Sequence, residues 1–297
     1  MLDRRDILKL TAALGTAALV PACAAKAGSA LSWQAFQADE AGFRRTPVLL
    51  SGQTEAILVD GGFTLSDGRA VAEAIKASGR RLTTIIVTCS DPDYYFSLRP
   101  VVQAFPSAKV IARPATVAAI RANVEGKLKV WGPQLKDNGP QTLADVVIPA
   151  AADVSSLDLE GHRIEIVDVP DMHDRHYLWV PDLQAVFGGV LVSSGIHVWM
   201  ADTATLDARL AWIKALDTII AHNPKIVVPG HQAEGAAQGL EAVRFTRDYL
   251  VAFNDAAAKA KDSKALVAAM TARYPALLEV GSLELGAKVV KGEMQWG

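Results

Sequence analysis

Residues 88–96 read Thr-Cys-Ser-Asp-Pro-Asp-Tyr-Tyr-Phe, directly after the apolar run Thr83–Val87. Asp91 and Asp93 offer hard oxygen donors and Cys89 a soft sulfur, a mixed set able to hold a divalent ion. On extended backbone alternate residues share a side, so positions 89, 91 and 93 are expected to face together if the strand runs that far. Two histidines can join them. His231 follows Val-Val-Pro-Gly at the end of an apolar run, and His173 stands between acids in Asp-Met-His-Asp-Arg-His that can orient its ring.

Each of these residues also has a plainer reading. A lone cysteine is commonly a small buried apolar side chain. Asp91 can cap the short helix that Pro92 opens, and Asp93 can be a hydrogen-bonded structural acid. Tyr94 can act as a phenol or anchor a pocket wall. His231 can be a satisfied strand-end residue. Arg175 can pair with Asp171 or Asp174, while His162 and His222 fit a turn and a helix C-terminus.

The elements that must position these groups follow from periodicity. Residues 46–62 read as two strands around Ser51-Gly52, and 66–79 as a helix with an N-cap candidate and a closing glycine. A strand at 83–88, a short helix, a strand at 108–112 and a helix at 114–132 continue a β-α-β alternation. Hairpin patterns return at 156–169 and 176–189. A helix over 203–222 stops at Pro224, and Lys225–Gln232 is expected as one buried strand. Two helices, about 235–262 and 263–274, precede a partly apolar tail. The order β-rich, helical, β-rich, helical suggests two sheet-plus-helix halves.

The 297-residue chain is 51% hydrophobic and 21% charged with a net charge of −2, enough for a sizeable core. No long basic stripe is present, so nucleic acid is not an expected partner. Residues 1–30 differ: Arg4-Arg5, then the small-residue apolar stretch Thr11–Ala22, read as a twin-arginine export signal. Val20–Cys23 is similar to a lipoprotein box in which Cys23 would carry a lipid, the only membrane contact expected. Cleavage after Ala25 or Ala27 is the alternative. The mature domain, 31–297, is then expected in the periplasm or anchored facing it, with Cys89 its only thiol. Trp131 and the tail ending Lys-Gly-Glu-Met-Gln-Trp-Gly can make a homodimer or fold back on the same chain.

Five stretches, Glu55–Gly62, Thr83–Leu98, Val169–Gly189, the helix at 203–222 and Lys225–Gln232, resemble the metallo-β-lactamase superfamily in order and spacing. The resemblance implies an αββα four-layer sandwich, two sheets packed face to face with helices outside, and a site along the edge where the sheets meet. It also implies a Thr-His-x-His-x-Asp-His motif for one or two zinc or iron ions. Here Cys89 and Asp91 stand at the first two histidines, Asp93 at the aspartate and Tyr94 at the last histidine. Met172 takes the middle ligand's place with His173 one position on, Val190 that of a bridging aspartate, and His231 matches the final histidine. Asp60 matches an acid that braces the metal loop from below.

Two function classes follow from this degenerate set. One is an exported hydrolase of an ester, lactone, thioester or related small molecule, with one Zn, Mn or Fe ion on Asp91, Asp93, His173, His231 and Cys89. Asp93 and Tyr94 would be its catalytic groups, with a metal-held water as nucleophile. The other is a metal-free, non-catalytic small-molecule-binding protein on the same fold, its pocket walled by Tyr95, His197 and Trp199. A minor variant uses Cys89 as a nucleophile, which needs a neighbouring base such as His173 or His231.

Overall fold

The computed structural model describes residues 30–172 and 174–296. The proposed export signal, except Ala30, and His173 lie outside the described residues. Among the described residues no helix is long and apolar enough to cross a membrane.

The first half of the chain alternates strands and helices: β1 (Ser32–Ala35), β2 (Val48–Ser51), β3 (Glu55–Val59), α1 (Leu65–Ser78), β4 (Arg81–Val87), α2 (Leu98–Ala104), β5 (Lys109–Ala112), α3 (Pro114–Leu135) and β6 (Ala150–Ala151). Its six strands form one sheet in the order β1-β2-β3-β4-β5-β6. The β2–β3 hairpin is antiparallel, and β3, β4 and β5 run parallel because helices cross between them. Thr64 starts α1 with a reciprocal capping box to Asp67, and Gly79 ends it at φ 67°, which a residue without Cβ adopts freely.

The second half comprises β7 (Ser156–Leu159), β8 (His162–Asp168), β9 (His176–Val180), β10 (Ala185–Phe187), β11 (Ser193–Ser194), α4 (Leu206–His222), β12 (Ile226–Val227), β13 (His231–Gln232), α5 (Gly239–Lys259), α6 (Ser263–Arg273) and α7 (Val280–Val290). The second sheet runs β12-β10-β9-β8-β7, and β11 and β13 form a small parallel pair at its end.

Strand alternation fixes the layers. In β2, β3 and β4, Leu50, Ile57, Val59 and Ile86 point into one core shared with Ile164, Leu178 and Phe187 of the other sheet. Their neighbours Leu49, Leu58, Ile85 and Val87 point the opposite way, against α1, α2 and α3. Tyr177 and Val186 face a third core with α4–α7. Three cores between four layers make an αββα sandwich.

Three local expectations are corrected. Lys225–Gln232 is not one strand: β12 pairs with β10 and β13 with β11, because Pro229, which has no N–H, and Gly230 interrupt the ladder. The partly apolar tail contains α7, whose glycines 281 and 286 mask its helical spacing. The strand before the acids stops at Val87, and Pro92–Tyr94 form a 3₁₀ turn, so residues 89, 91 and 93 do not share an extended face.

Candidate functional site

A cleft opens at the edge where the ends of the two sheets meet. Its floor carries Asp91, Asp93 and His231, and its walls carry aromatic rings from α3, α4, the segment after β11 and the C-terminal tail. The water-accessible space within it is about 70 Å³, several times the ~10–15 Å³ one water needs.

The floor is built by buried charge. Asp60 directly follows β3 at φ 62°, a conformation costly for a residue with a side chain, and is held there by its partners. Its carboxylate accepts hydrogen bonds from the Thr88 N–H at 2.7 Å and from the Thr88 hydroxyl, whose oxygen accepts from the Gly189 N–H. Burial raises the Asp60 pKa, against the opposing pull of Arg45. Arg45 is fully buried, with Nη2 3.1 Å from Asp60 Oδ2, Nη1 donating to the Gly230 carbonyl at 2.5 Å, and Nε 3.9 Å from Asp93 Oδ2. Its guanidinium lies 3.6 Å over the Tyr94 ring.

His231 and Asp93 do converge. His231 Nε2 is 3.1 Å from Asp93 Oδ2, while Nδ1 lies 2.7 Å from the Phe43 carbonyl. A carbonyl only accepts, so Nδ1 carries a hydrogen, and the Nε2 contact is favourable only with a proton between the partners. Burial would raise the Asp93 pKa, but the hydrogen bond and charge of His231, together with Arg45, outweigh it and hold the pKa below the usual carboxylate range.

Asp91 is taken up differently. Its side chain makes no capping hydrogen bond; Oδ2 accepts from Arg175 Nη1 at 3.0 Å and from the Cys89 thiol at 3.1 Å. Arg175 also reaches Cys89 Sγ at 3.5 Å and Asp174 at 4.0 Å, so its main acid is Asp91. Burial raises the Asp91 pKa despite Arg175. Burial first, and Asp91 second, push the Cys89 thiol well above its ordinary value. The thiol is enclosed and donates to Asp91, which disfavours the thiolate that a nucleophile needs.

The remaining expected residues divide. His197 and Trp199 line the cleft. Tyr95 does not: it is fully buried in the core against Phe96, because the 3₁₀ turn sends it away from the opening. Tyr94 is also fully buried, beneath Arg45, and is not among the residues that line the cleft. Arg45 was not anticipated in the floor, and Arg175 was expected to pair with Asp171 or Asp174 rather than with Asp91. The available signal was an arginine doublet, Arg44-Arg45, shortly before the apolar run Val48–Leu50.

The walls form an aromatic collar. Phe43 and Phe63 sit 5.3 and 5.5 Å from Trp131, centroid to centroid. Trp296 meets Trp131 at 6.3 Å and Trp199 at 5.4 Å, both edge-on. Asp202 accepts from both indoles, Trp199 at 2.5 Å and Trp296 at 3.1 Å. Trp131 and the tail thus fold together within one chain.

The family model of the metallo-beta-lactamase superfamily matches residues 42–231, more than half of the chain. The chain belongs to that superfamily. Among solved structures it is similar to a metallo-beta-lactamase family protein from Thermus thermophilus, at 14% identity and TM-score 0.58, covering 89% of this chain and 94% of that one. A metallo beta lactamase from Hirschia baltica is similar at 17% identity and TM-score 0.48, over 74% of this chain and 92% of that one. At such identities the likeness concerns the fold alone. A comparison with curated proteins finds no match.

Members of this superfamily generally bind divalent metals. The described residues of this member do not fit one. Among them no group of three or more His, Cys, Asp or Glu is arranged to hold an ion. Met172 and Val190 offer no charged donor and lie in apolar cores, and each floor acid already faces a guanidinium. An ion bonded to Asp93 at about 2 Å would stand within roughly 6 Å of Arg45 Nε, where a dication–cation pair costs about 5 kcal/mol at an effective dielectric near 20.

Proposed function

We propose that this protein is a small-molecule-binding member of the superfamily whose cleft works without a metal ion. One observation carries this reading: the floor acids are paired from within, Asp91 with Arg175 at 3.0 Å, Asp60 with the buried Arg45 at 3.1 Å, and Asp93 with His231 at 3.1 Å and Arg45 at 3.9 Å. Two guanidiniums supply the positive charge that ions would bring, and they cannot present an open coordination position to a water or substrate. What remains toward solvent is an aromatic collar around a few polar groups, the composition of a ligand pocket.

The Asp93–His231 contact favours a second reading, hydrolysis of a small ester, lactone or thioester. It asks Asp93 to act as a base while His231 and Arg45 hold its pKa low, and it asks His231 for a lone pair when both ring nitrogens already face partners. Both features oppose proton abstraction. Hydrolysis of p-nitrophenyl acetate and γ-butyrolactone, compared between the native chain and Asp93→Asn, separates the readings. Binding alone is expected to leave both rates at background.

The reading includes export by the twin-arginine route and a mature domain on the periplasmic side, resting on Arg4-Arg5 and the apolar stretch after them. Fractionation of cells carrying the native chain or Arg4→Lys with Arg5→Lys tests it; retention of the native chain in the cytoplasm would contradict it.

A further inference from the structure

His197 lies at the inner wall of the cleft, with Ser193 and Ser282 also contributing to the lining. Its backbone is fixed by donation from its N–H to the Leu278 carbonyl at 2.8 Å, and its ring Nδ1 is 2.9 Å from the hydroxyl of Tyr249, itself fully buried on α5. Among the described residues no other hydrogen-bond acceptor lies within reach of that hydroxyl. The single hydrogen of the phenol is then satisfied by donation to His197 Nδ1, which places the imidazole proton on Nε2. Nε2 is buried and has no hydrogen-bond partner among the described residues. An orphan donor of this kind is costly, and proteins retain few of them.

Resting on the binding reading above, we infer that His197 selects the ligand of this cleft, its free Nε2–H taking the oxygen of an uncharged carbonyl compound with a ring-sized apolar body. The apolar body matches the collar of Trp131, Trp199 and Trp296. The absence of charge follows from the floor. Asp91, Asp93, Asp202 and Glu279 face the cleft but are already paired, with Arg175, with His231 and Arg45, with Lys127 and with Arg44. A charged ligand would have to break one of these pairs. Burial lowers the His197 pKa, so the ring is neutral and draws an oxygen by hydrogen bonding rather than by charge.

The test uses four probes of one size on the folded chain, followed by ligand-observed NMR titration: acetophenone, α-methylstyrene, in which a methylene replaces the carbonyl oxygen, benzoate, and phenyltrimethylammonium. Acetophenone is expected to bind roughly tenfold more tightly than α-methylstyrene, as one buried hydrogen bond requires, and more tightly than either ion. In His197→Phe that preference is expected to vanish. Equal binding of the isosteric pair, tighter binding of an ion, or a preference that survives His197→Phe would overturn the inference while leaving the binding reading in place. Failure of all four probes to bind would overturn both. Should the variant not fold, long-range ¹H–¹⁵N NMR of the native imidazole decides: the Nε2–H neutral tautomer is required, and the Nδ1–H form would contradict it.

Discussion

Arg175 and Arg45 set the chemistry of the floor, and neither works as a surface ion pair does. Arg175 and Asp91 keep side-chain exposures of 10% and 16%, so Arg175→Met would leave a buried acid without its cation. The expected loss is about 3–5 kcal/mol, read from urea unfolding; a loss under about 1 kcal/mol would mean that the pair is not buried in solution. Cys89 gives a second check, since its thiol is shut in and its pKa raised by burial and by Asp91. Native protein is expected to resist iodoacetamide near neutral pH and to react once unfolded; rapid native labelling would restore the thiolate reading. At this scale His231 and Asp93 were legible, because a histidine after Pro-Gly and an acid after a strand announce a site by type and place. Arg45 was not, and Arg175 was legible only as a partner for Asp171 or Asp174, because arginine in sequence looks like surface and only the fold shows what encloses it.

At the scale of elements, the turns that join the two sheets carry much of the register. Glu160, at the β7–β8 turn, accepts from the backbone N–H groups of Gln53, Thr54 and Glu55 and from the Thr54 hydroxyl, at 2.5 to 2.9 Å, clamping the β2–β3 turn. Gly52 lies against this carboxylate with no room for a Cβ. These bonds, those of Thr54 first, lower the Glu160 pKa from 4.5 to about 2. A folded pKa below the unfolded one adds stability that is complete above the unfolded value and is lost as pH falls through the folded one. The melting-temperature difference between native protein and Glu160→Gln is therefore expected to be constant above about pH 5 and to close toward about pH 2; a difference independent of pH would contradict the clamp. Hairpins and amphipathic helices were readable from their periods. The division of Lys225–Gln232 between two ladders was not, because Pro229 and Gly230 mark a break without saying that the chain changes partners there.

For the whole molecule, the four layers followed from strand alternation and from the order of elements, and membership of the superfamily agrees with them. The cleft was legible only in outline. Its collar draws on Phe43, Trp131, Trp199 and Trp296, positions far apart in the chain, and the last of these lies beyond a helix that its glycines conceal. Residue types could suggest a degenerate metal site; they could not show that the protein supplies its own cations there. That substitution is the central claim, and it is tested by equilibrium dialysis of the metal-stripped, folded chain against Zn²⁺, Mn²⁺ and Fe²⁺ in turn, with elemental analysis of the protein. The expected result is no stoichiometric ion, and no change in metal content on Asp93→Ala or His231→Ala. One ion per chain that disappears in both variants would contradict it.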